Sequence, residues 1–449
     1  MSDSLDELAA LLGRAQSDVG GRPDPLDPAR IAARRRRRIR RRITAGVVAL
    51  VIVAAVGTYL PLTLLAPLGT AAMTVHKPQF ATPAAVKLSL PDVGASAISV
   101  AGAEDFAGTT GADGILASSG GNGALPIASI SKLVTALVVL DAKPLRQDEA
   151  GPTLAFGKAE ADLYDKYYVL GATVSSMRTG TSMSEHDAIE VMLVASACNY
   201  AEVVSTWAFG SQARFLSATR AWLKAHGLTG TTIVEPTGID SRNVSTPTDL
   251  IAIGKLAMAN PLLAAIVGSA SVSLPIGTLA NNNKLLGIDG INGIKTGTLA
   301  KAGACLLFSA VVDVGTAAPL TVIGVVLGGT DHGSVDSAVR ALLASIKSGF
   351  HRVPLVAKGQ VLGSYSTPWK DDARIVAGDD AAVLTWSNDP ITSTMATSSL
   401  TTGASGATVG SVTFVAGKAT VTVPLLLDGA IAGPDDWWRL THPTELLAR

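Results

Sequence analysis

"PIASISKLVTAL", residues 126 to 137, decides how this chain is read. Apolar residues recur at helical spacing from Ile127 onward, and Ser129 and Lys132 stand three positions apart near the start of the run. On a helix such residues share one face, with Cβ atoms about 5–6 Å apart. A serine hydroxyl becomes a nucleophile only when a base takes its proton, and a lysine can do so when burial or a nearby cation lowers its pKa. Ile127, Ile130 and Leu133 offer apolar surroundings of that kind. The helix N-terminus also turns backbone N–H groups toward any oxyanion that forms there. Alone, Ser-x-x-Lys says little, because both residues are common.

Two segments downstream change its weight. "VASACNYAE", 194 to 202, sets Ser196 and Asn199 just after an apolar helix. "GIKTGT", 293 to 298, puts Lys295 and Thr296 on an apolar run with Gly297 where a backbone can approach a ligand closely, followed by Thr298. A lysine beside a threonine can hold a carboxylate. Ser-x-x-Lys, a serine loop and Lys-Thr-Gly, in that order, form the signature of penicillin-binding proteins and class A β-lactamases.

The surrounding pattern is mixed. "AISVAGA" and "DGILASS" predict two short strands ahead of the Ser129 helix. "SMSEHDAIEVMLVASA" predicts a helix with Ser184 at its N-cap, and "STPTDLIAIGKLAM" another with a Thr/Pro start. "GIKTGT", "ACLLFSAVV" and "LTVIGVVLG" read as consecutive strands, and "SVDSAVRALLASIKSGF" as a helix closing them. The expected fold class is α/β in the α+β sense, an antiparallel sheet with helices packed on it. Beyond Val353 the texture becomes β-rich: "ARIVAG", "AVLTW", "GSVTFV" and "ATVTVPLLL". The Ser/Thr-rich 392–408 reads as an exposed loop or a loose strand, and "WWRL", 437 to 440, as a closing strand with its two tryptophans on opposite faces.

The chain resembles the low-molecular-mass D-alanyl-D-alanine carboxypeptidases, serine peptidases of the penicillin-binding type. "PIASISKLVTA", "MLVASACNYAE", "PTGIDSRNVSTPTDLIAIGKLAM", "NNNKLLG" and "INGIKTGTLAKAGACLLFSA" carry the likeness over roughly residues 95 to 350. The resemblance implies a β-lactamase/transpeptidase-like catalytic domain. It implies that Ser129 forms an acyl-enzyme, Lys132 is its base and Ser196 relays protons. Lys295 and Thr296 would bind the terminal carboxylate of a D-Ala-D-Ala stem peptide, and backbone N–H groups of Ser129 and Thr298 would form the oxyanion hole. β-Lactams would be covalent inhibitors, and no cofactor or metal is implied.

One position departs from the family pattern. The middle motif is Ser-x-Asn in the family, whereas Cys198 stands third here and Asn199 follows it. A one-residue shift turns a helical side chain by roughly 100°. Substrate binding by Asn199 therefore requires a local bulge. Cys198 and Cys305, the latter just after the Lys-Thr-Gly strand, are either two free thiols or one disulfide across the cleft, and the sequence leaves both open. Glu235 in "VEPTGID" falls short of the Glu-x-x-Leu-Asn of class A β-lactamases, since Gly238 and Ile239 fill the last two places. A turn role is expected for it.

Charge and hydropathy organise the N-terminal part. The chain has 449 residues, 48% of them apolar, and a formal net charge of zero. Eight arginines at 34 to 42 precede the uncharged apolar run 43 to 66, long enough for a transmembrane helix. The positive-inside rule then puts the N-terminus in the cytoplasm and the rest outside. A cleavable signal peptide is the rival reading, disfavoured by the long segment that precedes it. The domains expected are a cytoplasmic tail 1–42 opening with an amphipathic "MSDSLDELAALLGRAQ", an anchor 43–66, a stalk 67–94, a catalytic domain 95–352 and a β-rich module 353–449. A basic run beside an apolar one is a topology signal rather than a nucleic-acid site. His76, His186, His226, His332, His351 and His442 lack paired metal-ligand spacing and receive no role. The readings that compete with a carboxypeptidase are a serine β-lactamase and a catalytically inactive cell-envelope binding protein on the same fold.

Overall fold

The computed structural model describes residues 28–106, 111 and 114–447. The expected helix at the extreme N-terminus lies outside them. The uncharged run after the arginines forms the upper part of one exposed helix, Pro28–Leu64, which is long and apolar enough to cross a membrane.

A five-stranded antiparallel sheet organises the catalytic region. Its spatial order is Ile291–Leu299, Gly303–Val312, Leu320–Gly329, Ala95–Ala101 and Ala117–Ser119. Successive side chains on a strand point to opposite faces, so a strand covered on both sides reads as an unbroken apolar run. This is why "ACLLFSAVV" shows no alternation. Cys305 and Leu307 enter one core with Ile323, Val325 and the helices Ser131–Ala142, Glu185–Val194 and Pro247–Ala259. Leu306, Phe308 and Ala310 enter a second core, with Val335, Val339, Leu342 and Ile346 of the helix His332–Ser348.

Local chemistry sets the ends of these helices. Ser184 accepts a hydrogen bond from the Asp187 N–H, and Thr246 accepts one from Asp249 ahead of Pro247. Each satisfies an N–H that has no intrahelical partner, the role for which Ser and Thr are favoured at N-caps. The helix Ser131–Ala142 has ten of its twelve residues buried, so its position is fixed by burial on all sides.

The C-terminal module is β-rich. Its six-stranded sheet runs Ala72–Val75, Val361–Ser366, Asp372–Ala377, Ala419–Asp428, Thr408–Ala416 and Ile391–Thr397. Tyr365, Ile375, Phe414 and Leu425 are at the heart of its core.

Three expectations need correction here, and one open alternative is decided. Residues 67–94 are not a free spacer: Ala72–Val75 pairs with Val361–Ser366 as the edge strand of the sheet, and Val86, Leu88 and Leu90 pack on the second core. The boundary at 352/353 falls inside the strand Phe350–Val356, because Phe350 packs on Trp386 of its partner strand and on Phe106. Of the loop and strand readings of the Ser/Thr-rich segment, the strand holds for its first part, Ile391–Thr397, which pairs with Thr408–Ala416. "WWRL" lies in a helix, Asp436–Thr441, capped by the Asp435 carboxylate on the Trp438 N–H.

Candidate active site

Ser129 sits in a short 3-10 turn, Ala128–Ile130, that runs directly into the helix Ser131–Ala142. Ala128 has φ of 47°, a left-handed conformation that a residue with a Cβ adopts at a cost. Ile127, Ala128 and the run Ile130–Leu133 are buried, whereas Ser129 is half-exposed. Ser129 is thus the one opening in a closed stretch.

Lys132 is fully buried, and its Nζ meets three groups: Ser129 Oγ at 2.9 Å, the Thr237 carbonyl at 2.6 Å and Cys198 Sγ at 3.3 Å. The count matters chemically. As an ammonium, Nζ has three N–H donors for three acceptors. As a neutral amine it has two, which serve the carbonyl and the sulfur, and a lone pair that takes the Ser129 proton. A proton can move between Oγ and Nζ without leaving a buried group unpaired.

The Lys-Thr-Gly segment forms the edge strand Ile291–Leu299, with Lys295 opposite Leu307 and Gly297 opposite Cys305. At Gly297 the strand comes close to Ser129: a Cβ there would lie 2.8 Å from the Ile127 carbonyl and 3.3 Å from the Ser129 N. Only a residue without a side chain lets the strand come so near. Lys295 is 2% exposed and donates to the Thr296 carbonyl at 3.2 Å. Burial first, and then the neighbouring charge of Lys132, push its ammonium down to about 7, against a smaller opposing influence from Cys198. Thr296 is nearly buried, while Thr298 is exposed, with its Oγ1 2.7 Å from His332 Nε2.

The middle motif behaves differently from the family pattern. Ser196 lies between the helices Glu185–Val194 and Cys198–Phe209, 4% exposed and with φ of 61°. Cys198 supplies this segment's contact with Lys132. Asn199 turns away from it: its Oδ1 accepts from the Ser175 N–H at 3.1 Å and its Nδ2 donates to the Ser175 carbonyl at 2.8 Å. The expected substrate contact by Asn199 is therefore corrected. Its amide ties down a neighbouring loop, as the one-residue rotation on the helix requires. Of the two states open to the cysteines, the structure has the free thiols, both buried. Cys198 Sγ is engaged with Lys132, whereas Cys305 Sγ lies 3.5 Å from the Ala302 carbonyl in the sheet core.

Several residues of the site were missed in the sequence. Thr237 acts through its carbonyl, which any residue type would present, so no side-chain signal existed. Glu235, for which a turn role was expected, builds the turn that aims it: its carboxylate accepts from the N–H groups of Thr237 and Gly238 and from Thr237 Oγ1. Asn243, fully buried, spans Ser131 Oγ and Glu235 and accepts from the Val234 N–H. His332 received no role, because its partner Thr298 is distant in sequence. Among the described residues, His186, Asp187 and Glu190 bring possible metal ligands within 4.8 Å of one another. That cluster lies on the helix Glu185–Val194, which ends before Ser196.

A buried amine against a half-exposed serine, walled by a sheet edge, is an arrangement that can support acyl transfer. The family of D-alanyl-D-alanine carboxypeptidases, peptidase family S11, matches residues 107–331, just over half of the chain, and the protein belongs to it. The D-alanyl-D-alanine endopeptidase of Escherichia coli K12 is 34% identical over 196 residues, which make up 42% of this chain and 60% of that protein. The enzyme of the same name from Pseudomonas aeruginosa is 31% identical over 202 residues, with the same coverage. The chain thus spans about 60% of the length of these relatives. Among solved structures, PBP3 of Streptococcus pneumoniae is similar with a TM-score of 0.51 at 20% identity, covering 77% of this chain and all of that one. Penicillin binding protein 5 of Haemophilus influenzae gives 0.50 at 16%, covering 77% and 98%. These structural likenesses establish the fold.

Proposed function

We propose that the protein is a serine-type D-Ala-D-Ala carboxypeptidase that removes the terminal D-alanine from peptidoglycan stem peptides. The observation that carries this reading is the hydrogen bond of 2.9 Å between Ser129 Oγ and the buried Lys132 Nζ, beside the Lys-Thr-Gly edge strand. Ser129 Oγ attacks the carbonyl of the penultimate D-alanine as its proton passes to Lys132. The tetrahedral oxyanion is held by the backbone N–H groups of Ser129 and Thr298. Collapse expels D-alanine, whose amine takes a proton returned through Lys132 and Ser196, and leaves an ester on Ser129. Water then cleaves the ester. Lys295, Thr296 and Thr298 hold the substrate's terminal carboxylate, with Gly297 giving the peptide room to lie along the strand edge. A β-lactam mimics the peptide and stops at the ester.

The anchor has its arginines, Arg34 to Arg42, on the cytoplasmic side, so the catalytic domain faces peptidoglycan outside. A second reading is endopeptidase action on cross-linked stems, favoured by the names of the two sequence relatives. The full chain in detergent, given a pentapeptide ending in D-Ala-D-Ala and separately a cross-linked muropeptide dimer, separates the two. Release of free D-alanine that stops in Ser129→Ala, with a single penicillin adduct on Ser129, is the expected result. Resolution of the dimer without D-alanine release moves the assignment to endopeptidase. Absence of both products and of the adduct refutes an active enzyme.

A further inference from the structure

The segment "WWRL" takes no part in the chemistry above, yet it is fastened to the anchor helix. Arg439 Nη1 donates to the carbonyls of Leu64 at 3.1 Å and Ala66 at 3.0 Å, so a cation caps the C-terminal end of that helix. Tyr59, more than a turn lower on the helix, donates its hydroxyl to the Leu440 carbonyl at 2.6 Å. Thr63, between them, is 1% exposed, the one buried residue of that helix, with Leu64 beside it partly buried.

The height of this contact follows from helix geometry. A hydrocarbon core about 30 Å thick takes about 20 residues at 1.5 Å each. Counted from Ile43, the first residue after the arginines, the span ends near Leu62 or Thr63. Tyr59 then lies roughly 5 Å inside the outer boundary. The helix Asp436–Thr441, bonded to Tyr59 through Leu440, therefore sits at the level where headgroups meet acyl chains.

Its two tryptophans are used differently. Trp438 turns into the protein, edge-on to Trp369 with centroids 5.7 Å apart and stacked on His442 at 4.8 Å. Trp437 points out and is 74% exposed, next to a helix end where Leu62 is 56% and Leu65 79% exposed. An amphipathic indole at this depth, beside apolar side chains, suits the bilayer interface, where tryptophan and tyrosine concentrate.

Resting on the assignment of Pro28–Leu64 as a membrane span, we infer that the helix Asp436–Thr441 is a second membrane contact, with Trp437 seated in the interface of the outer leaflet. The catalytic region is then held to the membrane at two points through the C-terminal module, and its height and tilt are fixed.

The test uses the full chain reconstituted in phosphatidylcholine/phosphatidylglycerol vesicles, either plain or brominated at a shallow or a deep acyl position. Trp437→Phe gives the contribution of Trp437 as the difference in emission from the parent. This residue is exposed, so the variant folds. The expected result is that shallow bromines remove at least about half of the difference emission and deep bromines remove less. Vesicle-bound protein whose difference emission is untouched by either lipid overturns the inference while leaving the anchor intact. Protein that fails to float with vesicles overturns the anchor assignment and this inference with it.

Discussion

Gly238 adopts φ of +85° on the turn that presents the Thr237 carbonyl to Lys132, and a Cβ built there would stand 1.9 Å from the Ala128 carbonyl oxygen and 2.9 Å from the Ser129 N. Gly238→Ala therefore meets the backbone of the Ala128–Ser129 peptide, and no rotamer change relieves the clash. The left-handed conformation alone costs an alanine about 1–2 kcal/mol. The larger effect is displacement. Bringing the methyl to ordinary contact requires either the Ala128–Ser129 peptide or the Glu235–Gly238 turn to move by more than about 1 Å. The first shift moves the nucleophile, and the second withdraws an acceptor that lies 2.6 Å from Lys132 Nζ. A misplacement of about 1 Å costs on the order of a hundredfold in rate. The assay is the second-order rate constant for acylation by a fluorescent penicillin, with thermal unfolding measured in parallel. Gly227→Ala is the control, because Gly227 has φ of +71° and nothing within 4 Å of its Cβ position. It should lose a similar 1–2 kcal/mol of stability and keep its acylation rate. Acylation of Gly238→Ala within about threefold of the parent would refute the reasoning.

Three further outcomes follow from the same geometry. Burial and the neighbouring charge of Lys132 bring Lys295 down to about 7, so the cation proposed to hold the substrate's terminal carboxylate is lost as pH rises through that value; the KM for a D-Ala-D-Ala peptide should increase there, and a KM that stays flat counts against a carboxylate role for Lys295. Glu185 is 1% exposed and its Oε1 has no hydrogen-bond partner among the described residues, and burial pushes its carboxyl up to about 7. The folded state then holds a proton that the unfolded state releases near 4.5, so this stabilisation is complete below that pH and is lost as pH rises through about 7. Glu185→Gln should remove up to about 3 kcal/mol of that dependence, read from urea unfolding at several pH values; unchanged slopes exclude the assignment. Asn199→Ala, which breaks two bonds to Ser175, should lower stability by about 2–3 kcal/mol and acylation only slightly, and a loss of acylation at full stability would restore a substrate role for Asn199.

Much of the fold was legible because it rests on local chemistry. N-caps at Ser184 and Thr246, a helix over the Ser-x-x-Lys stretch and three consecutive apolar strands are each set by nearby residues, and the structure has them where the pattern predicts. The errors fall where distant partners decide. Residues 72–75 resemble a spacer in their proline-flanked, uncharged context, yet they complete a sheet whose next strand is nearly three hundred residues later. "WWRL" has the β-prone composition of a strand. It is helical because the Asp435 cap and contacts with Trp369 and the anchor outweigh a propensity worth only tenths of a kcal/mol per residue.

The sequence by itself determined the kinds of groups in the site and their order: Ser129 and Lys132 three apart, Ser196, then Lys295 to Thr298. Those follow from residue identity and helical or strand periodicity, which act over a few positions. Only the tertiary structure decided which atoms meet. It gave Lys132 the Thr237 carbonyl, set Cys198 against the same amine and sent Asn199 to Ser175. It also kept the two cysteines apart and joined Arg439 to the end of a helix that lies more than 370 residues earlier. These contacts come from chain closure over long separations. Burial of both faces of one sheet fixes them, and no local pattern encodes them.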